Sequence, residues 1–244
     1  MSGFISRVTV AVSALCLMLA ACGGGADTGT PTVADLAQAQ GIWEGTGSSG
    51  LTASAVVLPE GAVWLVLAQN DQPVALVQGR LVAQGTVFAG SAGRYVFSPP
   101  AKTLVSLNAD ARAQASLSLR YASTDASDAL QMTYQTRYES TLSVADLAGP
   151  WRGLTGDGVV AIEWTLNPSG AIEGRSSTGC TYSGAVSVRP QARAVLNARV
   201  TEICAGASAS FDGVVTLSAD QLRAHFAFVS ADSSSALLIG LRRQ

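Results

Sequence analysis

The sequence is poor in charged residues. Only 13% of its 244 residues are charged, about half of the usual share, whereas 48% are apolar. This composition excludes an ordinary disordered chain, which combines high charge with low hydrophobicity. The 15 basic and 17 acidic residues leave a net charge of −2. Because the arginines are scattered along the sequence, we expect no broad basic face and no nucleic-acid partner.

Catalytic side chains and motifs are also scarce. His225 is the only histidine and Lys102 the only lysine. There is no Gly-x-Ser-x-Gly, no His-Glu-x-x-His and no phosphate-binding loop, which are the local signatures of several enzyme classes. The alternating pattern of Leu222–Phe228 puts His225 beside Arg223, on the face opposite the phenylalanines, so a solvated surface histidine is predicted. We therefore expect a protein that is not an enzyme, with no catalytic residue, cofactor or metal.

A glycine-rich motif lies in the first third of the sequence. A Gly-x-Gly-x-x-Gly pattern lies at Gly45–Gly50, and Asp71 follows about twenty residues later, as in dinucleotide-binding proteins. Such a site requires a helix that opens at the loop. Thr52–Leu58 and the Pro59-Glu60-Gly61 that follows it are instead typical of a strand and a turn. We interpret the motif as a glycine-rich hairpin loop.

Residues 1–21 are typical of an export signal. Arg7 supplies the positive n-region and Val8–Leu19 an apolar h-region, which is too short to span a bilayer. The segment ends in Leu19-Ala20-Ala21-Cys22, which resembles the lipobox of bacterial lipoproteins. The resemblance implies cleavage before Cys22, acylation of that cysteine and a membrane anchor. An ordinary secretory signal with a chance cysteine is the alternative.

The residues after the lipobox bear on location and reach. In bacterial lipoproteins of the enteric type, Asp after the lipidated cysteine retains the protein at the inner membrane, so Gly23 implies transfer to the outer membrane. Residues 22–32 have no apolar periodicity and are predicted to form the lipidated cysteine and a flexible tether. About ten such residues have an end-to-end distance of roughly 17–19 Å.

The remainder of the chain contains a duplication. Val33–Ala37 recurs as Val144–Ala148, and each copy is followed by a tryptophan, Trp43 and Trp151, with a glycine two positions on. Further along, Leu58–Val63 aligns with Leu166–Ile172. The two copies predict tandem modules that cover residues 33–143 and 144–244.

The periodicity within the modules is that of strands. Apolar residues or threonines alternate with other residues in Leu130–Tyr138, Val160–Leu166 and Leu222–Phe228, and a period of two puts one face on a core. Turn-forming residues separate these runs. There are about eight runs per module at a spacing of roughly 10–13 residues, typical of up-and-down barrels or sandwiches. We expect an all-β fold with two tandem antiparallel meander or barrel-like modules.

Short motifs suggest relatives. The Gly-x-Trp that opens each module, at Trp43 and Trp151, resembles the first strand of calycins, the lipocalin-like eight-stranded barrels. The order of lipobox, tether and Gly-rich modules is similar to uncharacterised β-rich outer-membrane lipoproteins of Gram-negative bacteria. It is more distantly similar to surface lipoproteins of the transferrin-binding-protein-B type, without their long charged loops. Together with Trp64 and Trp164, the module-opening tryptophans either line a ligand pocket or plug a barrel end.

Two cysteines remain once Cys16 leaves with the signal and Cys22 is lipidated. Cys180 and Cys204 flank a predicted turn at 190–193, and a hairpin centred near residue 192 pairs position i with 384 − i, which places them opposite each other. A disulfide is predicted in an oxidising compartment, with two unpaired buried thiols as the alternative. No third or fourth metal ligand is evident.

Two classes of function remain besides an enzyme. The first is a binding or interaction module at the outer membrane, whose partner is an unknown envelope protein, glycan or lipid. The second is a structural envelope lipoprotein that binds no small ligand. A continuous apolar cavity reached from solvent favours the first class, whereas barrels filled by their own side chains favour the second.

Overall fold

The computed structural model describes residues 34–156 and 158–244, which lie in one compact unit, Thr32–Gln244. The predicted signal, Cys22 and the tether lie outside the described residues. The described part of the chain contains sixteen strands and very little helix. The predicted all-β fold of two antiparallel barrel-like modules with eight strands each is confirmed.

The first eight strands form a closed antiparallel barrel. Each strand pairs with the next along the chain, and β8 pairs with β1 to close the barrel. The strands are β1 Gly41–Gly47, β2 Thr52–Val57, β3 Ala62–Gln69, β4 Gln72–Gln84, β5 Val87–Phe97, β6 Pro100–Arg112, β7 Ser116–Ala122 and β8 Ser127–Tyr134.

The second barrel repeats this topology, and β16 pairs with β9 to close it. Its strands are β9 Gly149–Thr155, β10 Ala161–Leu166, β11 Ala171–Ser176, β12 Thr181–Val188, β13 Val195–Cys204, β14 Ala207–Leu217, β15 Arg223–Ser230 and β16 Ala236–Arg243. In both barrels every connection is a hairpin, so the order in space follows the order in the sequence.

Short helical segments precede and connect the barrels. Helix α1 spans Leu36–Ala39 and begins after Asp35, whose carboxylate accepts the Ala37 amide. Two 3-10 turns, Thr136–Glu139 and Val144–Leu147, join the barrels. The expectation that strand alternation continues to Tyr138 is wrong. The strand ends at Tyr134, and the 3-10 turn places Tyr138 among the buried side chains between the barrels.

The duplication is visible in equivalent turns. Gly61 donates its amide to the Leu58 carbonyl over 2.8 Å, and Gly170 donates to Asn167 over 2.9 Å. The two glycines have φ angles of 85° and 94°, a left-handed conformation that favours glycine. Each also accepts a backbone amide from a later strand of its own barrel over 2.8 Å. The turn that aligns in the two sequences is thus the same structure in both barrels.

Apolar side chains fill both barrels. In each strand one set of alternate residues points inward, which follows from the period of two. The first interior holds mainly aliphatic side chains, and the second holds an aromatic cluster, Trp164, Tyr182, Phe226 and Phe228. Small barrels of eight strands are just wide enough to be filled in this way.

A third apolar cluster lies between the barrels. Trp64, Leu76 and Tyr95 from the outer face of the first barrel pack in one cluster with Val214 and Leu238 from the outer face of the second. Polar contacts add to this contact surface: Arg189 pairs with Glu60 over 2.6 Å, Arg193 pairs with Glu139, and the Tyr95 hydroxyl and the Lys102 amine donate to the Ser233 carbonyl. Outward-facing apolar residues of the strands are therefore used to join the two barrels.

Candidate functional site

Trp43 and Trp151 plug their barrels at the end where the chain enters. Both are buried, and their indole N–H groups donate to the carbonyls of Ala39 over 2.8 Å and Leu147 over 2.7 Å. The Arg243 guanidinium also stacks over the Trp151 ring at 4.5 Å from its centroid. Burial and an indole hydrogen bond to the entering chain are the contacts expected of a ring that closes the end of a barrel.

The other two tryptophans differ in position. Trp164 is buried inside the second barrel, where its ring lies 5.1 Å from that of Phe226 and 5.5 Å from that of Tyr182. Trp64 points outward from the first barrel. Both interiors are filled, and Trp64 lies on the wall of a cleft outside the barrels.

This interbarrel cleft is a mostly apolar space of about 280 Å³. The first barrel contributes the outer faces of β2 and β3 and the β3–β4 turn, and the second contributes β9 and β14–β16. Its apolar walls include Val56, Trp64, Val66, Leu154, Val214 and Leu238. Leu154 is 48% exposed, so the cleft opens to solvent along β9. None of these residues is marked by a motif, because the cleft forms only when the two outer surfaces meet.

Glycine at position 240 leaves the floor of the cleft open. Gly240 pairs with His225 on one side and with Leu154 on the other. A Cβ built on Gly240 has the His225 Nδ1 atom, 4.0 Å away, as its nearest neighbour. A larger side chain at this position would therefore enter the cleft without a clash near the backbone.

His225 lies on the wall of the same cleft. It points away from Phe226 and Phe228, as the alternation predicts, and it is exposed. Neighbouring protein atoms nevertheless partly desolvate the ring, and this desolvation lowers its pKa below 6.5. The positive charges of Arg137 and Arg223 lower the pKa further, and Glu44 opposes them.

The lowered pKa leaves His225 neutral at pH 7. Within residues 34–156 and 158–244, no hydrogen bond to its ring is found. The neighbouring Arg137 is instead paired with Glu44 over 2.6 Å. Among the described residues, His225 therefore has no acceptor that would orient its ring as in a Ser-His-Asp type site.

The glycine motif at Gly45–Gly50 forms a hairpin and no helix, as interpreted from the sequence. Its loop is attached to Asp128, whose carboxylate accepts the Ser48 hydroxyl over 2.7 Å and the amide and hydroxyl of Ser49 over 3.1 and 2.5 Å. A Cβ on Gly47 would lie 2.1 Å from an Asp128 oxygen. The motif thus forms a hairpin loop that is hydrogen-bonded to β8 at one end of the first barrel. Asp71 lies at the rim of the cleft.

The predicted disulfide between Cys180 and Cys204 is present, with the two Cα atoms 4.4 Å apart. The predicted register also holds, since Thr181 pairs with Ile203 and Gly184 with Val200. Glu202, which no motif in the sequence marks, brings a carboxylate oxygen within 4.8 Å of both sulfurs. It accepts the Tyr182 hydroxyl over 2.5 Å. The bonded sulfurs offer no thiolate to a metal.

Cys22, the predicted lipidation site, lies outside the described residues. Among the residues described, no helix is long and apolar enough to cross a membrane.

Comparisons with known proteins give no family. No protein-family model matches the chain, and no curated protein matches it. Among solved structures, it is similar to a Bacteroides fragilis protein described as a candidate outer membrane protein, at 12% identity over 86% of this chain and 100% of that one, with a TM-score of 0.28.

Two further structures are similar at the same level. Transferrin binding protein B of Neisseria meningitidis serogroup B is 9% identical over 80% of this chain and 59% of that chain, with a TM-score of 0.29. A Nostoc punctiforme protein of unknown function is 14% identical over 85% of this chain and 97% of that chain, with a TM-score of 0.27. At these scores the likenesses support no inference about what this chain does.

Proposed function

We propose that this protein is an outer-membrane lipoprotein, anchored through Cys22, which acts by binding a ligand in the interbarrel cleft and catalyses no reaction. The observation that carries the proposal is the apolar cleft of about 280 Å³ between two barrels whose own interiors are filled. The anchor is supported by the lipobox at Leu19–Cys22 and by the tether after it.

The size and lining of the cleft suggest the kind of ligand. Its volume is close to the lower end of small-molecule pockets, which begin at roughly 300 Å³. Apolar walls with a few polar groups, among them His225 and Thr216, are typical of such pockets. A short apolar chain or a single ring fits this space, with Trp64 as the aromatic wall against which it packs.

No activated side chain is found in residues 34–156 and 158–244, which supports binding over catalysis. Within the described residues, His225 has no hydrogen-bonded partner to orient it, and the two sulfurs near Glu202 are bonded to each other. A general base or nucleophile needs a partner within hydrogen-bond distance. A single-turnover assay that detects hydrolysis or transfer by the wild type, abolished in folded His225→Ala, would contradict this part of the proposal.

The cleft is tested with the neutral apolar fluorophore N-phenyl-1-naphthylamine and purified Pro31–Gln244. We expect saturable binding with energy transfer from tryptophan. Gly240→Leu, which fills the cleft floor, should weaken binding by about tenfold or more. Ser210→Leu is the matched control, because Ser210 is an exposed strand residue of the same barrel outside the cleft. Equal binding by wild type and Gly240→Leu would reject the cleft as the ligand site.

The anchor is tested separately by mass spectrometry of the mature N-terminus. We expect an acylated Cys22 as the first residue and release from the membrane fraction in Cys22→Ser, because several acyl chains anchor far more firmly than one. An unmodified N-terminus at any other residue would reject both the anchor and the proposed location.

Filled barrels also favour a second candidate, a structural envelope lipoprotein that binds nothing small. The two candidates differ in what they require of the cleft. If Gly240→Leu complements a deletion strain as well as wild type while Cys22→Ser does not, the structural role is favoured. Loss of complementation in folded Gly240→Leu favours binding.

A further inference from the structure

Arginines that are scattered in the sequence come together on the outer face of the second barrel. The strand register pairs Arg223 with Arg242, Arg242 with Arg152, Arg152 with Glu163, and Glu163 with Arg175. These five residues, which we call the arginine row, lie on the adjacent strands β15, β16, β9, β10 and β11. At about 4.8 Å between strands, the row is roughly 19 Å long.

The centre of the row is electrostatically unfavourable for the folded protein alone. Arg242 has an arginine directly opposite on both neighbouring strands, and like charges in such positions destabilise a sheet. Glu163 pairs with Arg152 over 3.2 Å and with Arg175 over 2.7 Å. In the described part of the chain, Arg223 and Arg242 form no ion pair.

Besides Glu163 within the row, acidic groups lie at its two ends. Glu173 is two residues from Arg175 on β11. The pKa of Asp220 is lowered mainly by the hydrogen bond from Ser218 and, to a smaller extent, by the positive charge of Arg223, so Asp220 lies near that end of the row. The positive charge at Arg242 therefore has no acidic partner on the strand positions beside it. An oxyanion placed over Arg242 would relieve the repulsion, and the planar guanidinium groups can donate to it in pairs.

The arginine row runs along the edge of the interbarrel cleft. The next outward residues on three of its strands are His225, Gly240 and Leu154, which themselves pair across the sheet and line the cleft. Residues two apart on a strand are separated by about 6.7 Å. An apolar chain in the cleft would thus place its end group within reach of the arginine side chains.

We infer that the ligand of the cleft is an anionic amphiphile, whose apolar chain lies against Trp64 and Leu154 and whose phosphate or carboxylate head pairs with Arg242 and its neighbours. This inference rests on the proposed function, because it identifies the chemical class of the ligand for the same cleft. A membrane lipid and a free phosphorylated lipid share this chemistry.

The test compares two ligands that differ only in the phosphate. Lauroyl-lysophosphatidic acid and monolauroylglycerol, below their micelle concentrations, compete with N-phenyl-1-naphthylamine for Pro31–Gln244. At low salt we expect the phosphate ligand to bind about tenfold tighter, with an advantage that shrinks as salt is added. Inorganic phosphate alone should displace no fluorophore.

Two variants test whether Arg242 accounts for the tighter binding of the phosphate ligand. Arg242→Gln should abolish the advantage of the phosphate ligand and leave the affinity for monolauroylglycerol unchanged. Arg120→Gln is the matched control, since Arg120 is an exposed strand arginine of the first barrel opposite Ala129, and it should keep the advantage. Sedimentation with phosphatidylglycerol but not phosphatidylcholine vesicles identifies a membrane lipid as the source, and binding of the lysolipid without vesicle binding identifies a free one.

The two proposals fail in different ways. If Gly240→Leu leaves fluorophore binding unchanged, the cleft is not the site and the proposed function fails. If the cleft binds the fluorophore but both lauroyl ligands compete equally, or Arg242→Gln retains the advantage, only the head-group inference is overturned.

Discussion

The two barrels have the same topology and different interiors. Both begin with a buried tryptophan whose indole donates to the carbonyl four residues earlier. The first barrel then fills its interior mainly with aliphatic residues, among them Ala53, Ala55 and Leu65, whereas the second packs Trp164 against phenylalanines. The duplicated backbone therefore keeps its turns and its plug, while the residues that fill the volume have diverged.

The ends opposite the plugs also differ. In the first barrel, Asp128 is buried and holds the β1–β2 loop through hydrogen bonds from Ser48 and Ser49. In the second, Cys180 and Cys204 join β12 to β13 covalently. One end thus depends on the ionisation of a carboxylate and the other on the redox state of two sulfurs, which makes the barrels separable by experiment.

The largest effects are expected at the plugs. Trp43→Ala and Trp151→Ala should each lower the free energy of unfolding by about 3–5 kcal/mol, because each removes a buried ring and leaves a cavity. Trp43→Ala also loses the edge-to-face contact with Tyr134, and Trp151→Ala also loses the stacked Arg243, so the two losses should agree to within about 1 kcal/mol. Urea unfolding followed by circular dichroism measures both, and a difference of more than about 2 kcal/mol would show that the two tryptophans are not equivalent.

The next effect concerns the covalent end of the second barrel. Cys180→Ala/Cys204→Ala should lower the free energy of unfolding by about 3 kcal/mol, because the disulfide closes a loop across a separation of 24 residues. Thiol titration of the unfolded, unreduced wild type should find neither of these cysteines free. A stability of the double variant equal to that of oxidised wild type would show that the disulfide contributes nothing to closure.

Features of the fold that depend on residues close together in the sequence can be predicted from it, whereas features that depend on distant residues cannot. Alternation and turn residues are local, so the strand count, the Gly61 and Gly170 turns and the Cys180–Cys204 register follow from them. The end of β8 at Tyr134 does not follow, because it is set by burial of Tyr138 against the other barrel. Alternation alone cannot show where a strand gives way to contacts between modules.

The candidate site is harder to predict for the same reason. The outward face of His225 follows from its neighbours, but Trp64 and Leu154 come together only when two outer surfaces pack. The arginines are scattered in the sequence. They form a row because β16 and β9, which are far apart in the chain, pair where the barrel closes. Once the pairing of β16 with β9 is known, the strand register places these arginines side by side.

A smaller effect tests the carboxylate end of the first barrel. Burial of Asp128 acts to raise its pKa, but the hydrogen bonds from Ser49 and Ser48 outweigh it, so the pKa lies below 3.8. The stabilisation that the ionised Asp128 carboxylate contributes is present above pH 3.8 and is lost as pH falls through the lowered pKa. Asp128→Asn should cost about 1–3 kcal/mol at pH 7.

The loss of stability at low pH distinguishes the contributions of the two barrels. Asp128→Asn should show a weaker loss of stability than wild type when the pH falls below 3.8, and Cys180→Ala/Cys204→Ala should show the wild-type slope, because the disulfide does not titrate. Parallel acid profiles for wild type and Asp128→Asn would mean that this carboxylate does not control the first barrel at low pH.

The smallest effect concerns His225, which only the second barrel carries. Its folded-state pKa lies below 6.5 because of burial and the charges of Arg137 and Arg223, so the unfolded chain binds the proton more readily. The stability of the wild type should therefore be complete above pH 6.5 and decline as pH falls toward the folded-state pKa. His225→Gln should lack this decline while matching wild type at pH 8.

Urea midpoints measured from pH 8 to pH 5 for both proteins isolate the difference, since the carboxylates titrate alike in each. A wild-type midpoint that rises relative to His225→Gln on acidification would show that the protonated ring is stabilised, and would place an acidic group rather than arginines as its dominant neighbour.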